Sequence, residues 1–310
     1  MDGVIVVNKP AGITSSDVCL KVKKLLGIRK VGHAGTLDPM ATGVLPLCIN
    51  EATKLVQFIM TGEKEYIGTL RLGIETDTQD RQGKIIKETD AIPLDHGRIK
   101  EAIHAFTGEV LQLPPMFSAL KRNGVPLYKI ARKGESVPRE QRKISIYEIE
   151  VLAIDLPQVT LRVACSHGTY VRTLCHDIGQ KLECGAHLTG LERTRSGAFL
   201  LQGAVSMDAL ESSGREEIIK KYLISLPDAL KKLPAVVVDE AMERKIRNGA
   251  SITLDDISTL SLPGVNRGQQ LKVLSFRGSL IGVVETLAHE GMSILGDMQM
   301  QAWKTLRVFQ

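Results

Sequence analysis

The chain has 310 residues, of which 43% are hydrophobic and 24% are charged, and its net charge is +5. This composition is typical of a soluble, well-packed enzyme and excludes a disordered or fibrous protein, while the length favours two unequal domains. The chain has neither a run of about 18 apolar residues nor a signal-peptide pattern, so we expect a cytoplasmic protein without a membrane partner.

The five cysteines do not indicate a disulfide framework or a zinc ribbon, because their number is odd and no CxxC pair is present. A structural zinc site needs four ligands in two close pairs. The chain offers only the loose pairs Cys165 with His167 and Cys184 with His187. We therefore expect reduced thiols and no metal.

The first predicted elements are a strand, a helix and a loop. Residues 4–7 form a short apolar run that ends at a turn, as a strand does. Thr14, Ser15, Ser16 and Asp17 offer N-caps, and Gly27 offers a C-terminal stop, for a helix with apolar residues at helical spacing. Residues 32–43 have neither helical nor strand periodicity, which predicts a loop.

The following elements alternate irregularly between strand and helix. They lack the regular βαβ repeat of a Rossmann fold, so we predict an α+β fold. The spacing of apolar residues predicts strands at residues 66–72, 144–154 and 159–165, helices at 99–106 and 170–182, and a polar loop at 75–83.

The C-terminal part of the chain has a different composition. Turn signals recur after residues 226–234, and the one at 277–278 separates two apolar runs at 271–276 and 280–284, which is typical of a hairpin. We predict a domain at residues 1–230 and a small β-domain at residues 233–310.

Positive charge is concentrated in one segment. Residues 121–143 contain eight basic and two acidic side chains, a net charge of +6 that leaves −1 for the rest of the chain. Such a segment is the electrostatic footprint of a phosphate-rich partner, although a solvated loop also explains it.

Asp38 is the first candidate for chemistry. Pro39 keeps its backbone extended, and Gly35 and Gly43 allow this loop to approach a ligand closely. The sequence shows no second carboxylate nearby, so Asp38 would act alone as a nucleophile or base. The spacing by itself favours an ordinary Asp-Pro turn.

The same loop, residues 32–46, closely resembles the catalytic motif of the TruB family of tRNA pseudouridine synthases. The resemblance covers roughly the first 200 residues, because four more motifs follow in family order. They are the Lys-Pro motif at residues 7–15, a tyrosine strand at 64–73, an arginine motif at 168–174 and a last motif at 184–197.

The resemblance implies an α+β pseudouridine synthase fold, with a mostly antiparallel mixed central sheet flanked by helices and loops. A PUA-like β-barrel domain at the C-terminus is implied more weakly. The implied activity is isomerisation of uridine to pseudouridine at position 55, in the TΨC loop of tRNA, without a cofactor or metal.

The resemblance also implies roles for individual residues. Asp38 is the nucleophile, Arg172 pairs with it and keeps it ionised, and Tyr66 stacks on the flipped-out uracil and accepts the C5 proton. The other implied substrate-binding residues are His33, which takes the place of the flipped base, Tyr170 and Leu191, which complete the base pocket, and Arg29 and Lys30, which contact phosphates.

The implied partner is tRNA, bound through its T arm and acceptor stem, with the basic segment closing over the RNA loop. We expect a monomer without an obligate protein partner. One alternative is a non-catalytic RNA-binding or tRNA-folding protein, which the joint presence of Asp38, Tyr66 and Arg172 disfavours. Another is the guide-RNA-dependent pseudouridine synthase of archaea and eukaryotes, which the short N-terminus and the lack of charged tails disfavour.

Overall fold

The computed structural model describes residues 1–258, 260, 263–264, 266–287 and 300–309. None of the helices within these ranges is long and apolar enough to cross a membrane. The helices are α1 (Ser15–Leu26), α2 (Val56–Met60), α3 (His96–His104), α4 (Leu127–Ala131), α5 (Val171–Lys181), α6 (Met207–Ser212), α7 (Arg215–Tyr222), α8 (Leu226–Ala229), α9 (Glu240–Arg247) and α10 (Leu254–Ile257), with 3-10 helices at Asn50–Leu55 and Leu201–Gly203.

The strands fall into two large sheets and two short hairpins. They are β1 (Gly3–Lys9), β2 (Val31–His33), β3 (Thr42–Ile49), β4 (Lys64–Leu72), β5 (Ile74–Thr76), β6 (Ile85–Glu88), β7 (Gly108–Gln112), β8 (Lys121–Arg122), β9 (Val125–Pro126), β10 (Arg142–Asp155), β11 (Gln158–Cys165), β12 (Ala186–Ser196), β13 (Phe199–Leu200), β14 (Val205–Ser206), β15 (Ala235–Val238), β16 (Ile252–Thr253), β17 (Gln270–Ser275), β18 (Leu280–Thr286) and β19 (Gln301–Val308).

A mixed ten-stranded sheet forms the centre of the fold, which confirms the predicted α+β class. Its main path runs β14-β1-β3-β12-β4-β11-β10-β7, with β2 beside β3 and β13 beside β12. Within this central sheet, only the β1–β14 and β12–β3 pairs are parallel. The apolar faces of α1, α3 and α5 pack on this sheet in the largest core. Because β4 lies between β12 and β11, its side chains are well placed to meet those of both neighbours.

The first helix is built by the signals that predicted it. Thr14 caps α1, and its side chain and that of Asp17 each accept a hydrogen bond from the other residue's backbone N–H. Gly27 ends the helix in the left-handed conformation at φ 60°. These local bonds fix the helix ends without help from distant residues.

Two predicted loops contain strands, so these predictions were partly wrong. Val31–His33 forms β2 and pairs with β3, and Ile74–Thr76 forms β5 and pairs with β6. Each strand has only three residues, which is too short for alternation to appear in the sequence. Pairing with a neighbour, rather than local pattern, creates these strands.

Residues 113–141, which we call the insertion, leave the edge of the central sheet between β7 and β10. The two strands are antiparallel neighbours with Arg142 opposite Gln112. The insertion contains β8, β9 and α4. The basic segment at 121–143 therefore spans most of the insertion and the first two residues of β10.

The last part of the chain forms a five-stranded sheet in the order β15-β17-β18-β19-β16. The predicted hairpin is present as β17 and β18. One side of this sheet encloses its own core around Trp303. On its other side, Val283 and Phe309 share a core with Val4 and Val6 of β1. Apolar packing therefore joins the two large sheets.

Candidate active site

Asp38 lies in the loop between β2 and β3, and its side chain is 30% exposed. Buried polar groups hold this loop from below. The Lys9 ammonium donates to the carbonyl oxygen of Pro39 at 3.2 Å and to those of Pro10 and Ile13 at 2.8 and 2.7 Å. The carboxylate is thus presented to solvent by a backbone that is anchored on the sheet.

Arg172 reaches Asp38 from the first turn of α5, as the family motif implied. Its Nη2 lies 3.3 Å from Asp38 Oδ1, and its Nη1 lies 3.6 Å from Oδ2 of a second carboxylate, Asp80. Both Arg172 and Asp80 are buried. The expectation that no second carboxylate lies nearby was therefore wrong, because Asp80 is remote in sequence and close only in the fold.

The turn that follows β5 holds Asp80 in place. Asp80 Oδ1 accepts hydrogen bonds from the Thr78 hydroxyl at 2.8 Å and from the Gln82 backbone N–H at 2.9 Å. The Arg81 backbone N–H donates to the carbonyl oxygen of Leu188 on β12. The polar residues at 75–83 predict the turn that contains Asp80, but they do not indicate that Asp80 pairs with Arg172.

Burial raises the pKa of the Asp38 carboxyl above its ordinary value, and the neighbouring Asp80 carboxylate adds to this effect. Arg172 and Lys9 act in the opposite direction. Arg172 thus favours the ionised form as expected, but desolvation is the larger effect. Arg172 and Lys9 therefore oppose the protonation of Asp38 that burial and the Asp80 carboxylate favour.

Tyr66 is the third residue of β4 and is buried. It lies opposite Arg193 on β12 and Val163 on β11. Burial raises the pKa of its hydroxyl, which Arg193 partly offsets. The hydroxyl is therefore protonated at neutral pH, so Tyr66 can take up a substrate proton only while it passes on its own.

Arg193 is a buried residue of this site that sequence reasoning left without a role. Its Nε donates to the carbonyl oxygen of Val44 at 2.8 Å and its Nη2 to that of Gly35 at 3.0 Å, so it ties together both ends of the Asp38 loop. Gly43 allows the Arg193 backbone to approach this closely, because a Cβ there would lie 2.3 Å from the Arg193 carbonyl oxygen. Its position in the last family motif was the only available signal.

His33, Tyr170 and Leu191 lie around this centre. The Tyr170 ring is 5.7 Å from the Arg172 guanidinium. The carbonyl of Leu191 accepts a hydrogen bond from the Thr42 hydroxyl at 3.5 Å, next to the Asp38 loop. Burial and Arg193 lower the pKa of His33, which favours a neutral imidazole. Its Nδ1 is buried and has no hydrogen-bond partner within the described part of the chain.

Arg29 and Lys30 lie elsewhere, before the start of β2, and both are exposed. The structure does not bring them to Asp38. Lys30 instead lines a cleft of about 650 Å³, whose other cationic residues are Lys54 and Arg307. One wall of this cleft comes from the segment around α2 and the other from β19.

The five cysteines are all buried and carry free thiols. Burial raises the pKa of Cys48 to about 12 and that of Cys19 to about 11. Such thiols are protonated and unreactive at neutral pH. Within the described ranges, no three His, Cys, Asp or Glu side chains are grouped as metal ligands would be.

The chain is similar to known proteins along its whole length. Residues 23–171 match the family described as TruB family pseudouridylate synthase (N terminal domain), and residues 172–231 match the tRNA pseudouridylate synthase B C-terminal domain. The tRNA pseudouridine synthase B of Syntrophus aciditrophicus is 43% identical over 310 residues, which is 100% of this chain and 99% of the relative.

Other relatives extend this picture. The tRNA pseudouridine synthase B of Clostridium tetani is 48% identical over 252 residues, covering 81% of this chain and 86% of the relative. Among solved structures, a chain of a Cbf5-Nop10-Gar1 complex superposes with a TM-score of 0.76 at 28% identity, covering 99% of this chain and 85% of that chain.

Proposed function

Because the chain belongs to the TruB family of tRNA pseudouridine synthases, we propose that it converts uridine to pseudouridine in the TΨC loop of tRNA with Asp38 as the nucleophile. The observation that carries this proposal is the accessible Asp38 carboxylate, which is paired with the buried Arg172 on an anchored loop. A non-catalytic RNA-binding protein would not need a partly exposed carboxylate that is paired with a buried arginine.

The reaction is an isomerisation, so its atoms balance within the substrate. The N1–C1′ bond of uridine breaks, the uracil turns, a C5–C1′ bond forms, the C5 proton is lost and N1 takes up a proton. Asp38 can open this sequence by attack at C1′, by addition at C6 or by removal of the 2′ proton, and all three routes require an ionised carboxylate. Arg172 and Lys9 oppose its protonation.

The side chains around Asp38 suit a base that has left its stack. We propose that Tyr66 and Leu191, from the neighbouring strands β4 and β12, bind the two faces or edges of the uracil and that Tyr170 closes the pocket. Tyr66 would receive the C5 proton while its own hydroxyl proton passes to water, so the phenol is neutral before and after the step. We propose that His33, as a neutral imidazole on β2, replaces the flipped base in the RNA loop.

Purified protein alone is expected to release tritium from a tRNA transcript labelled at uracil C5. The amount released should correspond to one uridine per tRNA molecule. The release should need neither a guide RNA nor a second protein, since the relatives named for tRNA are 43% to 48% identical whereas the Cbf5 chain is 28% identical. Release only after addition of guide RNA would contradict the proposed stand-alone reaction.

The distribution of cations supports tRNA as the partner. We propose that the insertion closes over the T arm and that the unit at residues 233–310, a PUA-like domain, binds the acceptor stem. The cleft lined by Lys30, Lys54 and Arg307 lies between the segment around α2 and β19 of the C-terminal sheet. It would contact phosphates between these two regions. We further propose that the enzyme works as a monomer in the cytoplasm.

Arg307→Ala is expected to weaken binding of full-length tRNA several-fold and to lower the slope of log affinity against log salt by about 1. The reason is that Arg307 on β19 lines the cleft and would neutralise one phosphate. Wild-type affinity itself should fall steeply between about 50 and 200 mM salt. Titration of labelled tRNA at several salt concentrations measures both quantities.

Lys304→Ala is the matched control, because Lys304 is an exposed cation on the same strand that does not line the cleft. Neither variant should change binding of an isolated T-arm hairpin, if the cleft contacts the RNA beyond that arm. Equal weakening of hairpin and full-length tRNA by Arg307→Ala would place the cleft at the T arm instead, and no weakening of either would exclude it from the RNA path.

A further inference from the structure

The last residue of β7 and the first six residues of the insertion, residues 112–118, are called the insertion root here. The insertion root is hydrogen-bonded to the segment that carries Arg172. Gln112 ends β7 and is 2% exposed. Its Oε1 accepts a hydrogen bond from the Tyr170 backbone N–H at 2.8 Å, and its Nε2 donates to the Tyr170 carbonyl oxygen at 3.1 Å. One buried carboxamide thus pairs with both backbone groups of a single residue, as a neighbouring strand would.

This pairing determines where α5 begins. Tyr170 is the N-cap residue of α5, and its own side chain makes no capping hydrogen bond. Without Gln112, the Tyr170 N–H would lose its partner, which buried backbone donors rarely tolerate. Arg172 follows two residues later in the first turn of the helix, so a displacement of Tyr170 also displaces the guanidinium.

A second bond joins the root to Arg172 directly. The Phe117 carbonyl oxygen accepts from Arg172 Nη2 at 2.7 Å, and the same nitrogen lies 3.3 Å from Asp38 Oδ1. Arg172 Nη1 lies 3.6 Å from Asp80 Oδ2. The closest contact of the guanidinium is therefore with the insertion root rather than with either carboxylate.

The root is also continuous with the basic part of the insertion. Lys121, the first residue of the basic segment, follows Phe117 by four positions. From the other end of the insertion, Arg139 Nη1 donates to the carbonyl oxygen of Pro114 at 2.8 Å. The basic part of the insertion is therefore linked to the root twice, through the chain at Lys121 and through the hydrogen bond of Arg139.

We propose that the insertion root acts as a clamp that holds Arg172 against Asp38, so that contact of the insertion with RNA is coupled to the chemical step. Gln112 is the positioning residue of this clamp, acting through Tyr170. The inference rests on the proposed function and deepens it. Loosening the clamp should slow the reaction of bound RNA without weakening the binding of RNA, because the Gln112 side chain is buried and bonds to the Tyr170 backbone rather than to any cation of the insertion.

Gln112→Met preserves the length of the side chain and removes both hydrogen bonds to Tyr170. We expect the single-turnover rate constant at saturating tRNA to fall about 10- to 100-fold, because a small displacement of a catalytic group has effects of this size. The dissociation constant for tRNA should stay within about twofold of wild type. Tritium release under single-turnover conditions and filter binding give the two values.

The pH dependence of that rate constant distinguishes a clamp from general loosening of the fold. The charged groups that face Asp38 are Arg172 on α5, Asp80 after β5 and Lys9 on β1. If Arg172 moves away from Asp38, it offsets less of the effect of burial and of the Asp80 carboxylate, both of which raise the pKa of Asp38. The acid limb of the profile should then shift to higher pH in Gln112→Met.

Gln112→Leu provides a second variant, since it removes the same two hydrogen bonds without placing a charge at this buried position. It should match Gln112→Met in rate with unchanged affinity, and it carries the test if Gln112→Met does not fold. Leu111→Ala is the control, because this exposed neighbour on β7 should match wild type in both values.

The clamp is wrong if the Gln112 variants keep the wild-type rate constant at saturation, whether or not their affinity falls. A loss of affinity alone would instead make Gln112 a support for the RNA-binding surface. Absence of tritium release by wild-type protein would overturn the proposed function rather than the clamp, so the two failures are distinguishable.

Discussion

Asp38→Asn is expected to lower the rate of pseudouridine formation by at least about 10⁴-fold while tRNA affinity stays within about twofold of wild type. The amide has nearly the same shape as the carboxylate but is neither a nucleophile nor a base. Arg172 keeps its contacts with Asp80 and with the Phe117 carbonyl, so the surroundings of residue 38 should remain in place. Tritium release measures the rate, and filter binding measures the affinity.

The stability of this variant provides its control. Because the pKa of Asp38 is raised in the fold, its ionised form disfavours folding at any pH above its ordinary pKa. The neutral Asn removes that cost, so the melting temperature at pH 8 should be no lower than that of wild type. The difference should shrink as pH falls and Asp38 takes up its proton. Tritium release near the wild-type rate by a correctly folded Asp38→Asn would refute the nucleophile assignment.

Replacement of Arg172 should have the second largest effect. Arg172→Lys keeps the charge but is expected to lower the rate about 10²- to 10³-fold, because an ammonium cannot reproduce a planar fork that meets Asp38, Asp80 and the Phe117 carbonyl together. Arg172→Met should be slower still, since it leaves two carboxylates facing each other without their shared cation.

The pH–rate profile tests the electrostatic part of this argument. Arg172 lowers the pKa of Asp38, so its removal should raise that pKa further and move the acid limb of the profile to higher pH. Arg172→Met should accordingly recover part of its activity as pH increases. An unmoved acid limb would mean that Arg172 orients the carboxylate without sustaining its charge.

Arg162→Lys is a suitable comparison for the arginine variants. Arg162 bridges Glu148 and Glu150 on the exposed side of β10 and β11, at 3.0 and 2.7 Å. Exposed ion pairs contribute little to stability, so this change should leave the rate and its pH profile close to those of wild type. A comparable loss of rate in Arg162→Lys would indicate that the effect of the arginine substitution is not specific to Arg172.

Local sequence signals were sufficient where local interactions build the element. Gly27 and a group of four candidate N-caps that includes Thr14 predicted the limits of α1, and alternation predicted β4, β10 and β11. The short strands β2 and β5 were missed for the opposite reason. Three residues carry no period, and only their hydrogen bonds to β3 and β6 make them strands.

For the site, the sequence by itself determined the family through ordered motifs, and with it the candidates Asp38, Tyr66 and Arg172. The tertiary structure alone decided which buried polar groups surround them. Asp80, Arg193 and Gln112 make their decisive contacts with residues 58 to 158 positions away, and such contacts leave no periodic trace in a chain. Burial, which raises the pKa of Asp38 despite Arg172, is likewise a property of the fold and of no single motif.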